Sequence, residues 1–398
     1  MILAPWRALP PVITPVSAGR LVAATVSTAT GGDASEALRG EIQRRTGVAD
    51  VHLLDSGTSA LRVALTMGVG AGELVALPGY GCFDLATAAL GAGVRVRLYD
   101  VDPSSLAPDL ASLAEALEAG ARAVVVASIF GYVPPMSEIV QLCRAHGATL
   151  IEDIAQGAGA SWAGDTLGRF GDFVVMSFGR GKGVGGAGGG ALGVRNATSN
   201  AVWKNPSSSR RGLGSAALVA AQQVLSHPLA FGLPSRIPQL RLGETVYHAP
   251  TSPGGISALQ AALALSALRE SEARHAARAA VARSFEQVID ETLSLGGGQA
   301  RDMRVHGVST PPDASPGYLR LGLRCDDDLL AAMWSLGARR GYPIPLAQLT
   351  PLQPVLESAP HLAGSVELSR RLASLPTHGY VNDRDAARVR DLMSPERP

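Results

Sequence analysis

Lysine is scarce in this sequence, which contains only Lys182 and Lys204 among 35 basic residues. Lys182 follows the apolar run DFVVM, lies five residues after Ser177 and is surrounded by glycines. A lysine that attacks an aldehyde must be neutral, and neighbouring glycines leave room for a carbonyl compound. A lone lysine is normally a solvated surface group. Because this one lies in a glycine-rich loop after a predicted strand, we expect Lys182 to form a Schiff base.

A carboxylate follows a second predicted strand. Glu152 and Asp153 end the apolar run ATLI, and Gln156 comes three residues later. A carboxylate at a strand end can pair with a protonated pyridine nitrogen and keep the ring an electron sink. An aspartate that caps the next turn would have the same sequence. In combination with Lys182, however, Asp153 indicates pyridoxal 5'-phosphate (PLP) as the cofactor.

The segment from Ser56 to Ala60 joins a predicted strand to a predicted helix. Free backbone N–H groups at a helix N-terminus, with Gly57 allowing close approach and the hydroxyls of Thr58 and Ser59 nearby, suit a phosphate group. A serine that merely caps the helix would give the same pattern. This segment is therefore a candidate phosphate site only in combination with the other stretches.

A fourth stretch, Pro78 to Phe83, follows the run ELVAL and could supply a group that stacks on a flat cofactor, although a packing turn has the same composition. Gly181 to Gly186 also satisfies the GxGxxG pattern of dinucleotide sites. No helix pattern follows it, and the expected acidic residue about twenty positions later is absent. Lys182 is followed by Gly183 rather than Ser or Thr, so a Walker A loop is not supported either.

Apolar runs alternate with helical patterns from about residue 50 to 195. The strand candidates are VHLLDSG, LVALPGY, VRVRLYD, AVVVASIFGY, ATLIEDIA, DFVVMSFG and GALGVRN. This alternation predicts an α/β fold with a mostly parallel, doubly wound sheet. Open α/β sheets bind ligands at the carboxyl ends of their strands, where all four chemical stretches lie.

The rest of the chain predicts a second, smaller unit. We expect an N-terminal arm over 1–45, a large domain over 46–255 and a small C-terminal α+β domain within 256–398. Residues 196–250, rich in Pro, Gly and Ser, predict an elaborated connection with one helix inside it. A helical pattern without Pro or Gly runs from Ile256 to about Glu291 and predicts one long helix.

Composition excludes several classes of function. A net charge of +1 over 398 residues provides no strong field for nucleic acid or an anionic membrane. The most apolar segment, Leu213 to Leu233, is interrupted by glutamines, a histidine and a proline, which argues against a spanning helix. The N-terminus lacks the unbroken apolar stretch of a signal peptide. The sequence has three cysteines, Cys82, Cys143 and Cys325, whose spacing is not that of a metal site. An odd number of cysteines fits a reducing, cytoplasmic setting better than a set of disulfides.

Taken in order, these stretches resemble the DegT-type sugar aminotransferases, which are PLP enzymes of fold type I. Members of that family carry SGTxAL, a PSxTF/W segment, EDxAQxxGA, and GD before SFxxxK. The matching segments here are Ser56 to Leu61, Pro78 to Phe83, Glu152 to Ala160, Gly171-Asp172 and Ser177 to Lys182. The resemblance extends over residues 45 to 395, with gaps in register at 195–250 and 295–365.

The resemblance implies a role for each matching residue. Lys182 would hold PLP and move the proton between the substrate carbon and the cofactor, and Asp153 would pair with the pyridine nitrogen. Gln156 would contact the ring hydroxyl. The remaining cofactor-binding residues would hold the phosphate or face the ring: Gly57, Thr58, Ser59, Ser177 and Cys82.

Three departures from the family pattern concern the edges of the site. Cys82 stands where the family has a stacking aromatic residue, so that Tyr80, Phe83 or a smaller group would cover the ring. Residues 253–256 read PGGI, whereas the family has NYRM, whose Asn reaches the neighbouring subunit's phosphate. Ser128 stands where the family has a histidine. These differences concern the substrate contacts and one contact between subunits.

The resemblance implies a homodimer with a shared active site. It would transfer an amino group, from glutamate as donor, to a keto sugar or sugar-nucleotide in polysaccharide or natural-product biosynthesis. One alternative is a PLP enzyme of the same family with other chemistry, such as a dehydratase, although the sugar 3-dehydratases carry His where this chain has Lys182. The other is a regulatory or binding homologue without turnover.

Overall fold

The computed structural model describes residues 7–13, 15–196, 203, 206, 213–232, 234–236, 245–295, 305–357 and 361–393. Two helices, α1 (Ala18–Ala29) and α2 (Ser35–Thr46), lie in the segment expected to form an N-terminal arm. Ser17 caps α1, since its side chain accepts a hydrogen bond from the N–H of Arg20. Both helices pack against the rest of the chain.

A seven-stranded sheet forms the centre of the fold. Its strands are β1 (Asp50–Leu54), β2 (Leu74–Pro78), β3 (Arg95–Tyr99), β4 (Ala123–Ala127), β5 (Thr149–Asp153), β8 (Phe173–Ser177) and β9 (Gly190–Val194). They lie in the order β1-β9-β8-β5-β4-β2-β3. β9 runs antiparallel to both of its neighbours, and the other neighbouring strands pair in parallel. The expected mostly parallel α/β sheet is therefore confirmed.

Helices cover both faces of this sheet. The crossover helices are α3 (Gly57–Gly68), α4 (Asp84–Ala92), α5 (Leu110–Glu118) and α6 (Met136–Ala145). In β2, Leu74 and Ala76 belong to one buried cluster, whereas Val75 and Leu77 belong to another. Since alternate residues of a strand point to opposite faces, β2 is buried on both sides, as its continuous apolar sequence requires.

The region 196–250 contains more than the one expected helix. Its described residues include α7 (Leu213–Leu225) and the short α8 (Pro228–Phe231). His227 caps α8, and Pro228 begins it with a preset backbone angle. The polar stretch expected as a loop, 196–212, lies outside the described residues except for positions 196, 203 and 206.

The prediction of a single long helix after residue 256 is wrong, because the chain forms two helices there. These are α9 (Ala258–Arg269) and α10 (Ser271–Leu295). Glu270 separates them, with φ −102° and ψ 2°. The break lets α9 pack against α1 and α2, while α10 packs against the C-terminal helix α13 (Asp383–Met393). Periodicity alone did not reveal the change of direction.

The C-terminal part forms a smaller α+β unit. Its antiparallel sheet has the order β10-β12-β14-β13, formed by β10 (Val305–Gly307), β12 (Arg320–Cys325), β13 (Arg339–Arg340) and β14 (Leu372–Pro376). The helices α11 (Asp327–Ala332) and α12 (Ala363–Arg371) complete it with α10 and α13. A separate three-stranded sheet joins the large and small parts through β6 (Ser161–Trp162), β7 (Asp165–Thr166) and β11 (Ala314–Ser315). Within the ranges given above, no helix is both long and apolar enough to cross a membrane.

Candidate active site

The predicted chemical residues meet at the carboxyl ends of the parallel strands. Asp153 ends β5, Ser177 ends β8, and Ser56 follows β1. Cys82 follows β2 and lines one cavity together with Gln156 and Lys182. This is the edge of an open α/β sheet at which ligands bind.

The N-terminus of α3 faces the end of β8. Ser56 caps the helix, and its Oγ accepts a hydrogen bond from the N–H of Ser59 at 3.0 Å. The Ser59 hydroxyl donates to Asp55 Oδ1 at 2.6 Å, so this predicted cofactor ligand is turned towards the protein. Gly57 and Thr58 begin the helix, where backbone N–H groups have no acceptor within the helix and can bind an anion.

Gly57 and Ser177 are in close contact. A Cβ on Gly57 would lie 2.7 Å from Ser177 Cβ and 3.1 Å from its Oγ, which is closer than real side chains come. Glycine at this position therefore brings the helix N-terminus directly onto the Ser177 hydroxyl. Backbone N–H groups and a hydroxyl thus lie close together, and these are donors that can bind a phosphate.

Asp153 lies at the end of β5, the strand that pairs with β8. Its Oδ1 accepts a hydrogen bond from the N–H of Ala155 at 3.0 Å, and its Oδ2 has no hydrogen-bond partner in the described part of the chain. Burial raises the pKa of Asp153, while the nearby charge of Lys182 favours the ionised form and that of Asp84 opposes it. A carboxylate with a free oxygen and a nearby cation is suited to a protonated ring nitrogen.

The Lys182 loop depends on glycine. Gly181 has φ +71°, a backbone conformation that side chains with a Cβ rarely adopt. The loop closes through hydrogen bonds from Lys182 N to Gly179 O and from Gly185 N to Lys182 O. Lys182 makes no ion pair with any described residue.

Gln156 is held by two neighbours. Its Oε1 accepts a hydrogen bond from Phe130 N at 3.2 Å, and its Nε2 donates to the Tyr342 hydroxyl at 2.8 Å. Tyr342 N in turn donates to the Tyr80 hydroxyl at 2.8 Å. Contact of Gln156 with a ring hydroxyl stays a prediction, because both ends of the amide already have partners in the protein.

The two aromatic substitutes for the missing stacking residue are excluded by packing. Tyr80 is 0% exposed and Phe83 is 5% exposed, and each belongs to a hydrophobic cluster. Cys82 alone of the three lines the cavity, with its Sγ 3.3 Å from Asp84 Oδ2. Burial and the charge of Asp84 raise the pKa of Cys82 to about 12, so the side chain stays a neutral thiol at pH 7.

The cavity around Lys182 has a volume of about 160 Å³. Part of its wall comes from the C-terminal unit, through Arg320, Arg340 and Tyr342. Sequence reasoning missed these three residues, since no motif surrounds them. Arg180, which precedes the glycine loop of Lys182, also lines this cavity.

Arg278 links three segments of the chain near Lys182. Its guanidinium donates to the carbonyls of Gly183 at 3.3 Å, Ala158 at 3.1 Å and Gly317 at 3.1 Å. These carbonyls belong to the Lys182 loop, to the segment after β5 and to the segment before β12. Burial lowers the pKa of Arg278 to about 10, which leaves it charged at pH 7. Both Arg278 and Lys182 also line a second cavity of about 330 Å³.

Lys182, which pairs with no described acidic residue, the Asp153 oxygen that no described group contacts and the N-terminus of α3 would suit the amine-linked aldehyde, the ring nitrogen and the phosphate of PLP, respectively. In combination with the mostly parallel sheet, they define the fold type I class of PLP-dependent enzymes. Residues 21–394 match the DegT/DnrJ/EryC1/StrS aminotransferase family, and the chain belongs to that family.

Individual relatives match only part of this chain. A UDP-N-acetyl-3-dehydro-alpha-D-glucosamine 3-aminotransferase of Acidithiobacillus ferrooxidans is 34% identical over 162 residues, which is 40% of this chain and 44% of that enzyme. A pleiotropic regulatory protein of Geobacillus stearothermophilus is 30% identical over 142 residues, which cover 35% of this chain and 38% of that protein. This chain thus matches less than half the length of either protein.

The similarity to solved structures extends over the whole fold. A DegT DnrJ EryC1 StrS aminotransferase from Brucella abortus superposes with a TM-score of 0.71 at 22% identity, over 94% of each chain. A GDP-4-keto-6-deoxy-D-mannose-3-dehydratase from E. coli, which contains hydrated PLP, superposes with a TM-score of 0.74 at 13% identity. That match covers 98% of this chain and 100% of the dehydratase. At these identities the superpositions establish the fold.

Proposed function

We propose that this chain is a PLP-dependent aminotransferase that moves an amino group from glutamate to a keto sugar or sugar-nucleotide. The observation that carries the proposal is the cavity that contains Lys182, which makes no ion pair within the described residues and whose charge acts on Asp153. Bound PLP would supply an electron sink for the carbon that exchanges its amino group. Membership of an aminotransferase family supports the same reaction.

The chain's own residues supply position and proton transfer. Lys182 would hold the cofactor through Nζ and move the proton at the amine-bearing carbon of the substrate. Asp153 would hold a proton on the ring nitrogen through the oxygen that no described residue contacts. Gly57, Thr58 and Ser177 would bind the phosphate. The neutral thiol of Cys82 would cover one face of the ring, in place of an aromatic residue.

The chain's two lysines allow a sharp test of this proposal. Purified protein should bind PLP with visible absorbance, and borohydride should fix the cofactor to Lys182, as checked by peptide mass spectrometry. The variant K182A should lose the label, whereas the matched control K204A should keep it. Label on Lys204, or no bound PLP, would refute the assignment. Turnover with glutamate and a keto sugar would separate an aminotransferase from a dehydratase or a regulatory homologue.

The proposal includes a homodimer whose two copies meet beside the site. Five apolar residues of α1 and α7 are more than half exposed: Val22, Val26, Leu218, Val224 and Leu225. The two helices contact each other, and α7 shares a cavity with Arg180 and Gly188 of the lysine loop. A second copy seated on this face would cover the apolar surface and adjoin the site. The variant L218E should be more monomeric in sedimentation and less active; an unchanged dimer would contradict this interface.

The cellular setting is also part of the proposal. The three cysteines form no disulfide in the structure, and Cys143 and Cys325 are buried. Unpaired cysteines are usual in reducing compartments. We therefore place the enzyme in the cytoplasm, with small-molecule substrates and neither a nucleic acid nor a membrane as partner.

A further inference from the structure

Asp84 places a carboxylate beside the thiol that lines the Lys182 cavity. It is the first residue of α4, two residues after Cys82, and its Oδ2 lies 3.3 Å from Cys82 Sγ. An ionised carboxylate has no hydrogen to donate, so the thiol is the donor in this contact. Since Cys82 lines the cavity, the contact sets the direction of an S–H bond within the site.

The Asp84 carboxylate has no other task among the described residues. It forms no ion pair with them, and Cys82 is its hydrogen-bond partner there. Its charge nevertheless acts on the site, since it opposes ionisation of both Cys82 and Asp153. A carboxylate in the first turn of a helix also stabilises that helix, and this separate effect must be distinguished by experiment.

Basic groups face Cys82 from the other elements around it. The charge of Lys182 favours the thiolate form of Cys82, and Arg320 of β12 is close enough to respond to that form. Tyr342 also lies near the sulfur but is neutral at pH 7, because burial raises its pKa. Among the described groups, only Asp84 accepts a hydrogen bond from the thiol. Without that acceptor, the S–H bond would be free to turn towards the cavity.

The direction of the S–H bond decides how well the sulfur covers a cofactor ring. A protonated pyridine ring is poor in electrons, so sulfur lone pairs attract its face, whereas the positive end of an S–H bond repels it. An aromatic side chain has no such dependence on a hydrogen. A thiol in that position therefore needs an acceptor on the side away from the ring, and Asp84 provides one.

We propose that Asp84 positions the Cys82 thiol for cofactor binding by holding its hydrogen away from the ring, an inference that rests on the proposed PLP function. Asp84 acts through Cys82 and is not a catalytic residue. The two side chains form one unit, in which the carboxylate orients the sulfur and the sulfur covers the ring.

Affinity for PLP, measured by equilibrium dialysis of the apoprotein, tests this orientation. Asp84→Ala should weaken PLP binding about fivefold, the net worth of one hydrogen bond. Asp84→Asn keeps an oxygen that can accept from the thiol and should stay within about twofold of the wild type. In a Cys82→Ala background, Asp84→Ala should have no further effect, whereas a role in stabilising α4 would persist. The matched control Asp109→Ala removes an exposed carboxylate from the N-terminus of α5 and should leave PLP affinity unchanged.

Alkylation by iodoacetamide tests the contact between the two side chains without the cofactor. Cys143 and Cys325 are buried and serve as internal controls in peptide mass spectrometry. In the apoprotein, Asp84→Asn should speed alkylation of Cys82 about threefold, because loss of the charge lowers the thiol pKa and gives more, though less nucleophilic, thiolate. Bound PLP should slow the alkylation of Cys82 in the wild type, since the ring would lie against the sulfur.

The outcomes separate this inference from the function on which it rests. Wild-type PLP affinity in Asp84→Ala, or an equal loss in the Cys82→Ala background, overturns the positioning role but leaves the PLP function intact. Alkylation of Cys82 that bound PLP does not slow also overturns it, because the sulfur then does not cover the ring. Wild-type protein that binds no PLP overturns both. If Asp84→Ala fails to fold, an unchanged alkylation rate in Asp84→Asn refutes the inference.

Discussion

Gly57 offers a direct test of the phosphate site, because its Cα packs on Ser177. A Cβ added by Gly57→Ala would lie 2.7 Å from Ser177 Cβ, whereas ordinary contacts begin at 3.4 Å. Ser177 ends a buried strand and has little freedom to move. The N-terminus of α3 must therefore shift by about 0.7 Å to restore ordinary contact.

This shift should weaken both folding and cofactor binding. Overpacking of this kind costs about 1–3 kcal/mol of unfolding free energy. Because the donors of the helix N-terminus and Ser177 would move apart, we expect PLP affinity to fall about 10- to 100-fold, which corresponds to about 1.4–2.8 kcal/mol. Urea unfolding of the apoprotein measures the first effect, and equilibrium dialysis against PLP measures the second.

Gly40 provides the matched control. It lies in α2, is exposed, and a Cβ at this position would have no atom within 4 Å. Gly40→Ala should stabilise the protein by up to about 1 kcal/mol through helix propensity and leave PLP affinity unchanged. Wild-type PLP affinity in Gly57→Ala would refute this prediction, since the close contact would then have no part in the phosphate site.

Two further substitutions test the roles of Asp153 and Arg278. Asp153→Asn should retain PLP but lower turnover about a hundredfold, because an amide does not hold the ring nitrogen protonated. Steady-state rates and cofactor content measure both effects. A fully active variant would refute the role of Asp153 as partner of the ring nitrogen. Arg278→Met removes hydrogen bonds to three loop carbonyls and should lower the unfolding free energy by about 2–4 kcal/mol in urea titrations. Arg283→Met, an exposed site on the same helix, should change it by less than about 0.5 kcal/mol, and equal effects in the two variants would contradict the role of Arg278.

Much of the large unit follows from local patterns. Each β-branched run between turn residues forms a strand of the seven-stranded sheet, because burial on both faces imposes a continuous apolar sequence. The motifs around Gly57, Asp153, Ser177 and Lys182 could be predicted together for a related reason. Each follows a parallel strand, and parallel strands place their carboxyl ends at one edge.

Local sequence patterns were less informative where packing against distant parts of the chain decides the structure. The residues from Ile256 onwards keep a helical pattern across Glu270, yet the chain changes direction there to pack α9 and α10 on different partners. Tyr80 and Phe83 were equally plausible cover for the ring, but both are buried in hydrophobic clusters. Side-chain exposure depends on what packs against a turn, and short sequence windows do not contain that information.

The sequence by itself singles out Lys182 as the residue to which we propose that a carbonyl cofactor attaches. Scarcity of lysine, the glycine loop and the spacing from Ser177 are all properties of a single stretch of chain. Only the tertiary structure brought Arg320 and Tyr342, which lie more than a hundred residues after Lys182 in the chain, into the same cavity. Their positions depend on how the C-terminal unit packs against the large sheet. An isolated arginine at the start of a strand gives no local sign that its charge will face a buried site.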